Sequence, residues 1–379
     1  MRTRQHLWTE DEGWGEGAAG GLGDAAQLAL VFGGMAAIEA SGAFAWVRSA
    51  YPAAAIFGCT TSGEIHGCTV QDETVSVTAV HFEHTRLASF RASVSRPDLS
   101  FDAGQELARK IDTDELTHVF LLAEGLQVIG SDLLDGVNSI LPDHVTVSGG
   151  FAGDGDRIVE TYIWNDGEPH PCTVAAIAFY GERLQVSIAA SGEWMGFGPE
   201  RLVTKSKKNV VYELDGRSAL ALYKQYLGED AAGLPSTGMM YPLGLRVPGT
   251  ERRVLRSLLA VNEEDQSLTF GGNIPEQSLA RLFNGNFEQM IEGADAAAQV
   301  IREAIPASGS QLAILVSCYG RRLILRQLIE EEVEAVAEVL GPETALTGFY
   351  SYGEAAPVTL GGKAQLHNQT VTITCFNEV

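Results

Sequence analysis

Four short segments concentrate the side chains that could do chemistry, and each follows an apolar run. The first is Gly58-Cys59-Thr60-Thr61-Ser62-Gly63-Glu64. Its hydroxyls and permissive backbone could cradle a small polar ligand, with Glu64 taking an amine or a backbone N–H. The same residues also suit a tight turn whose Thr and Ser satisfy their own backbone. The second, Ser148 to Asp156, contains Gly149, Gly150, Asp154 and Asp156. Glycine allows close backbone approach, and two acids could hold a cation or a hydroxyl-rich ligand; a glycine-rich turn is the competing reading.

The third segment is Val316-Ser317-Cys318-Tyr319-Gly320-Arg321-Arg322, where a buried strand gives way to a helix. A helix N-terminus lowers a thiol pKa, so Cys318 is a candidate nucleophile, and Arg321 could clamp a carboxylate with two parallel bonds. A small buried hydrophobe is the plainer reading of Cys318. The fourth is Gly348 to Glu354, followed by Leu366 to Thr370. Tyr350, Tyr352, Glu354, His367 and Asn368 together could line a pocket with aromatic walls and hydrogen bonds.

Enzyme signatures are otherwise missing. There is no phosphate-binding Gly-x-x-x-x-Gly-Lys-[Ser/Thr] and no dinucleotide glycine fingerprint. His81 and His84 lie on a strand pattern three residues apart and so point to opposite faces, which argues against a metal.

The elements that must position these segments alternate apolar runs with helical patterns. Residues 27–32 and 54–57 are buried strands around a helical stretch over 35–50. Residues 74–83 and 85–95 predict an antiparallel hairpin. A helix over 101–111, a buried strand over 117–123, a helix over 131–141 and a strand over 145–149 follow. We expect strands 54–57, 117–123 and 145–149 side by side in one sheet, with helices 35–50 and 101–111 on its faces. Near residue 191 the texture loosens into Gly- and Pro-rich loops, before helices at 286–305 and 321–339 and buried strands at 311–317, 345–352 and 369–376. No repeat of 20–50 residues is visible, which excludes solenoids and propellers. The fold class is α/β, with two tandem domains of mixed β-sheets flanked by helices, over 25–215 and 216–379. Residues 11–24 carry six glycines, and 1–24 read as a flexible lead-in.

Composition narrows the partners. The 379 residues carry 26 Lys+Arg and 49 Asp+Glu, a formal charge of −23. Such a surface repels phosphate backbones and anionic membranes, so neither nucleic acid nor membrane is expected as a partner. No apolar window is long enough to span a bilayer, and the N-terminus lacks the apolar core of a secretory signal. Five scattered cysteines without Cys-x-x-Cys fit reduced thiols in the cytoplasm.

Taken in order, the segments resemble the FIST domain family from about residue 25 to the C-terminus. Residues 57–65 resemble its N-terminal hallmark and 148–154 its second glycine loop; 316–321, 348–354 and 366–370 are similar to signatures of its C-terminal half. The resemblance implies a bacterial sensory module that binds a small ligand such as an amino acid and signals to a separate kinase or cyclic-dinucleotide enzyme. It implies no catalysis and no cofactor. The expected ligand site lies at the junction of the two halves. It draws on Cys59, Thr60, Thr61, Ser62, Gly63, Glu64, Gly149, Gly150, Asp154, Cys318, Arg321, Tyr350, Tyr352, Glu354, His367 and Asn368. Glu354 should face the 58–64 loop, with donors among the Thr60–Ser62 hydroxyls, that loop's N–H groups or Arg321. One branch of the family binds haem and senses nitric oxide; its loop typically has Ala where this chain has Ser62. The haem alternative, with His367 as the first ligand to test, therefore ranks second. A cysteine enzyme using Cys59 or Cys318 ranks third, because neither has an evident base.

Overall fold

A computed structural model describes residues 1–15, 21–247, 252–305, 311–359 and 361–379. Three of its sheets follow one plan. In the first, the parallel strands Leu28–Gly33 and Ala55–Cys59 flank a helical crossover, Val75–His81 runs antiparallel beside Leu28–Gly33, and Arg2–Trp8 closes the edge. In the second, the parallel pair is Leu116–Ala123 and Thr146–Phe151, with Thr173–Tyr180 and then Arg86–Ser93 beside it. In the third it is Leu312–Cys318 and Ala345–Ser351, with Val371–Glu378 and then Leu184–Ser191. The chain thus repeats one unit over 2–81, 86–180 and 184–378.

The units exchange arms in a ring. Past Ala55–Cys59, the hairpin Glu64–His66 and Thr69–Gln71 joins the third sheet. Past Thr146–Phe151, the pair Ile163–Asn165 and Pro169–His170 joins the first. Past Ala345–Ser351, Gly353–Pro357 and Ala364–His367 join the second. Segments from both halves of the chain therefore share each of the second and third sheets.

Parallel strands covered on both faces read as unbroken apolar runs. Here the inner faces meet in one core that includes Phe32, Phe57, Phe120, Phe179, Phe349 and Phe376. The outer faces are covered by helices: Met35–Ser41 and Ala43–Ala50 on the first sheet, Ser100–Lys110 and Gly130–Asn138 on the second, Phe287–Ala304 and Ile329–Leu340 on the third. Gly58, Gly149 and Gly348 occupy the same register in the three units, opposite Val31, Leu121 and Leu315. A Cβ at each would sit 1.7, 1.8 and 1.9 Å from the facing carbonyl oxygen, so only glycine fits. A fourth sheet, built within residues 195–284, is inserted into the third unit and packs Val203, Val211 and Phe270 against the helix Ala219–Leu227.

Three sequence expectations require correction. Strands 54–57 and 117–123 lie in separate sheets, and helices 35–50 and 101–111 cover different sheets. Val75–His81 and Arg86–Ser93 do not form a hairpin; the chain between them crosses from the first sheet to the second. An apolar run reports burial on two faces but not which strand lies beside it. Finally, the lead-in expected over 1–24 begins as a strand, Arg2–Trp8, paired along its whole length with Val75–His81. Residues 16–20 of that lead-in lie outside the described residues.

Candidate functional site

The segments that leave the three parallel pairs meet and bind one another through backbone. Gly153 N donates to Thr60 O at 3.0 Å, and Thr60 N to Tyr162 O at 3.0 Å. Ser62 N donates to Tyr350 O at 2.8 Å, Tyr350 N to Gly63 O at 2.9 Å, and Tyr352 N to Phe151 O at 3.0 Å. Three of the four predicted segments therefore converge as the sequence suggested. Beside this junction opens a cleft of about 750 Å³, walled by Thr61–Glu64, Asp154–Arg157, the 236–240 segment and the helix Tyr319–Leu325.

Arg322 dominates one wall. It donates to Ser62 O at 2.5 Å and to Asp72 through both terminal nitrogens, one of them at 2.7 Å. Gly63 makes this possible, because a Cβ there would fall 1.9 Å from Arg322 Nη1. Asp72 is 63% exposed, so the pair sits at the mouth of the cleft, whereas Arg322 itself is 20% exposed. Asp72, Glu73, Asp156, Arg157 and Arg326 complete the charged lining.

Of the sequence-predicted residues, Thr61, Ser62, Gly63, Glu64 and Asp154 line the cleft. Glu64 is nonetheless buried, accepting from Thr61 Oγ1, Thr74 N and Thr74 Oγ1. Burial pushes its carboxyl up to about 7 despite those bonds. Asp154 accepts from the N–H groups of Ile158, Val159 and Glu160 and from the Tyr352 hydroxyl, which shapes the loop wall. Ser62 Oγ accepts from Gly155 N at 3.0 Å and ties the two loops together.

The remaining predictions fall elsewhere. Thr60 accepts from Tyr162 N at 3.0 Å and anchors the exchanged arm. Gly149 and Gly150 lie within a paired strand rather than a loop. Cys59 and Cys318 are fully buried, and burial pushes both thiols well above their ordinary range, the reverse of an activated nucleophile. Arg321 is buried beneath the helix, bonded to Glu332 and, at 3.0 Å, to Met290 O. Tyr350 donates to the same Glu332 at 3.0 Å and faces the core. Consecutive helical residues point about 100° apart, so of Arg321 and Arg322 only one can face the cleft. The adjacent pair was the available signal; which member turns inward is set by Glu332 on the next helix.

Glu354 does not face the 58–64 loop. It is fully buried and accepts from Ser351 Oγ at 2.8 Å, Thr370 N at 3.2 Å and Thr370 Oγ1 at 2.8 Å. Burial raises its carboxyl to about 8. Tyr352 reaches Asp154 and Gly155 O behind the cleft wall. Asn368 is buried next to Gly271. His367 Nε2 bonds Ala356 O at 3.0 Å, and burial depresses the ring to about 4. An axial haem ligand needs an open face. His367 does not line this cleft and its ring is buried, so its surroundings do not fit that group. Among the described residues no cluster of His, Cys, Asp and Glu could hold a metal ion.

Fold and cleft together define an α/β protein whose two halves exchange strands around a ligand-sized cavity lined by both charges. The chain belongs to the FIST family: the FIST N domain model matches residues 27–217 and the FIST C domain model residues 219–357. FIST domains are signal-transduction sensory domains. No curated protein matches the chain. Among solved structures it is similar to a cyanuric acid hydrolase from A. caulinodans (8% identity, TM-score 0.38, 98% of each chain covered). It is also similar to a chorismatase (9% identity, TM-score 0.34, 99% of this chain and 98% of that one). Among the described residues no helix is long and apolar enough to cross a membrane.

Proposed function

We propose that this chain is a cytoplasmic sensor that binds a small zwitterionic metabolite, such as an amino acid, in the Arg322 cleft and reports occupancy to a separate signalling protein, a kinase or a cyclic-dinucleotide enzyme. The observation that carries the reading is the Arg322 contact. A guanidinium on the FIST C side reaches across to Ser62 O and an exposed Asp72 on the FIST N side, at the mouth of a cavity of ligand size. A ligand carboxylate would displace Asp72 from Arg322, and Glu73 and Asp156 would take its ammonium group. Exchanging an inter-half ion pair for a ligand gives the two halves a differential interaction with the occupied state, which a population shift requires.

Binding without turnover is supported by the thiols. Cys59 and Cys318, the nucleophile candidates, are buried and held protonated. The experiment is a thermal-shift screen of the purified protein against individual L-amino acids, combined with native mass spectrometry of protein taken from its host. A ligand at about one hundred times its Kd adds about 2.7 kcal/mol of stability, a melting shift of a few degrees. A flat screen and an empty native mass spectrum would remove the basis of the proposal.

A further inference from the structure

A second cleft, about 760 Å³, lies between the helix Gly130–Asn138, the strand Ala364–His367 and the fourth sheet, and it shares no residue with the Arg322 cleft. Arg256 forms part of its wall and is only 5% exposed. Its guanidinium donates Nη1 to Leu255 O at 2.9 Å and Leu366 O at 2.8 Å, and Nε to Asn273 O at 3.3 Å. All of these acceptors are neutral carbonyls. Among the described residues no carboxylate lies within 4.0 Å of Arg256, and its Nη2 makes no protein hydrogen bond. The other deeply buried arginine, Arg321, has Glu332 beside it.

A buried cation is costly to desolvate, and Asp135, the carboxylate that acts on Arg256, does so from beyond ion-pair distance. Burial already depresses Arg256 to about 10. The same wall carries a second unmet group. Asn273 Nδ2 donates to Asp132 at 2.6 Å, which orients the amide, and its Oδ1 is buried with no donor. Of the other lining cations, Arg246 is paired with Glu200 and Lys363 with Asp143, so among the described residues Arg256 is the lining cation without an ion pair. With Nε and both Nη1 hydrogens engaged by carbonyls, Nη2 is the guanidinium nitrogen left to donate, and beside the unpaired Asn273 Oδ1 it complements a carboxylate with a hydroxyl close to it.

We infer that this second cleft binds a small organic acid whose carboxylate pairs with Arg256 and whose hydroxyl donates to Asn273 Oδ1. It is a ligand site separate from the Arg322 cleft. Titration calorimetry with L-malate and L-lactate as probes, and with succinate and propionate as partners lacking the hydroxyl, tests the assignment. At least one hydroxy acid should bind about tenfold more tightly than its partner, the worth of one buried hydrogen bond. Arg256→Lys keeps the charge but loses the Nη2 donor, and should weaken that binding about tenfold. Asn273→Leu should abolish the preference for the hydroxy acid, and Arg322→Met should change neither value. Circular dichroism checks that each variant is folded, and the comparison of probes on the unmodified chain needs no variant. Failure of both hydroxy acids to bind, equal binding of each pair, or undiminished binding in a folded Arg256→Lys protein would overturn the assignment.

Discussion

Glu64 and Glu354 hold equivalent places in two of the three units. Each accepts the N–H at 3.2 Å and the hydroxyl at 2.8 Å of the threonine just before its unit's antiparallel return strand, Thr74 and Thr370 respectively. Each also accepts a hydroxyl from three residues earlier, Thr61 or Ser351. In the remaining unit the work is split: Asp154 takes the N–H groups of 158–160, and Glu124 takes the Thr161 hydroxyl at 2.6 Å. A bond set shared by two units fastens the exchanged arm to its return strand, so these acids build the frame. Arg322 belongs to one unit alone.

The protonation of that frame makes stability depend on pH. Glu64 and Glu354 keep their protons to about pH 7 and 8, against 4.5 for an ordinary carboxyl. Above 4.5 the unfolded chain has released protons that the folded chain still holds, so their contribution falls as pH rises through this window. Buried His6, His118 and His367 act oppositely. Their pKa values of about 4, 3 and 4, against 6.5, make the unfolded state bind more protons below pH 6.5. Three histidines outweigh two glutamates on the acid side, so the melting temperature should peak near pH 6.5. Above the peak each glutamate costs up to about 1.4 kcal/mol per pH unit until its own pKa is passed. Glu354→Gln should flatten that alkaline limb and leave ligand affinity unchanged; melting curves across pH 5–9 check both.

Arg321 is a structural residue. Arg321→Met leaves Glu332 buried and uncompensated, and should cost about 3–5 kcal/mol in urea unfolding. Any protein that still folds should retain ligand affinity. A loss of affinity without a loss of stability would return Arg321 to the site.

The three register glycines offer a test of the repeat itself. Gly58→Ala, Gly149→Ala and Gly348→Ala each drive a methyl into a facing backbone carbonyl and should destabilise by about 3 kcal/mol or more. At Gly67 a Cβ meets nothing within 4 Å, so Gly67→Ala should cost only about 1 kcal/mol, from its positive φ of 59°. Chemical denaturation of the four variants separates the two effects.

Much of the local structure was legible in the sequence. The apolar runs became the strands Leu28–Gly33, Leu116–Ala123 and Leu312–Cys318, and the glycine-rich segments at 58–64, 149–154 and 348–354 did meet. Sheet membership was not legible, because Ala55–Cys59 and Leu116–Ala123 have the same buried texture whatever lies beside them. The threefold plan was hidden for a related reason. What the units share is register and hydrogen bonding, as at Gly58, Gly149 and Gly348, while the residues around these positions differ. Within the site, hydroxyl and acid content singled out Thr61, Ser62 and Asp154, which line the cleft. It could not separate a cleft-lining arginine from a core one, because that depends on Glu332, ten residues beyond Arg322.

The most direct measurement is titration calorimetry of the unmodified chain and of Arg322→Met, using the amino acid that gives the largest thermal shift. With Arg322 holding the ligand carboxylate, the variant should bind at least about tenfold more weakly while its circular dichroism spectrum and urea midpoint stay unchanged. Asp72→Asn should tighten binding by freeing the guanidinium. Equal affinity in the unmodified chain and a folded Arg322→Met protein would contradict the assignment of the cleft.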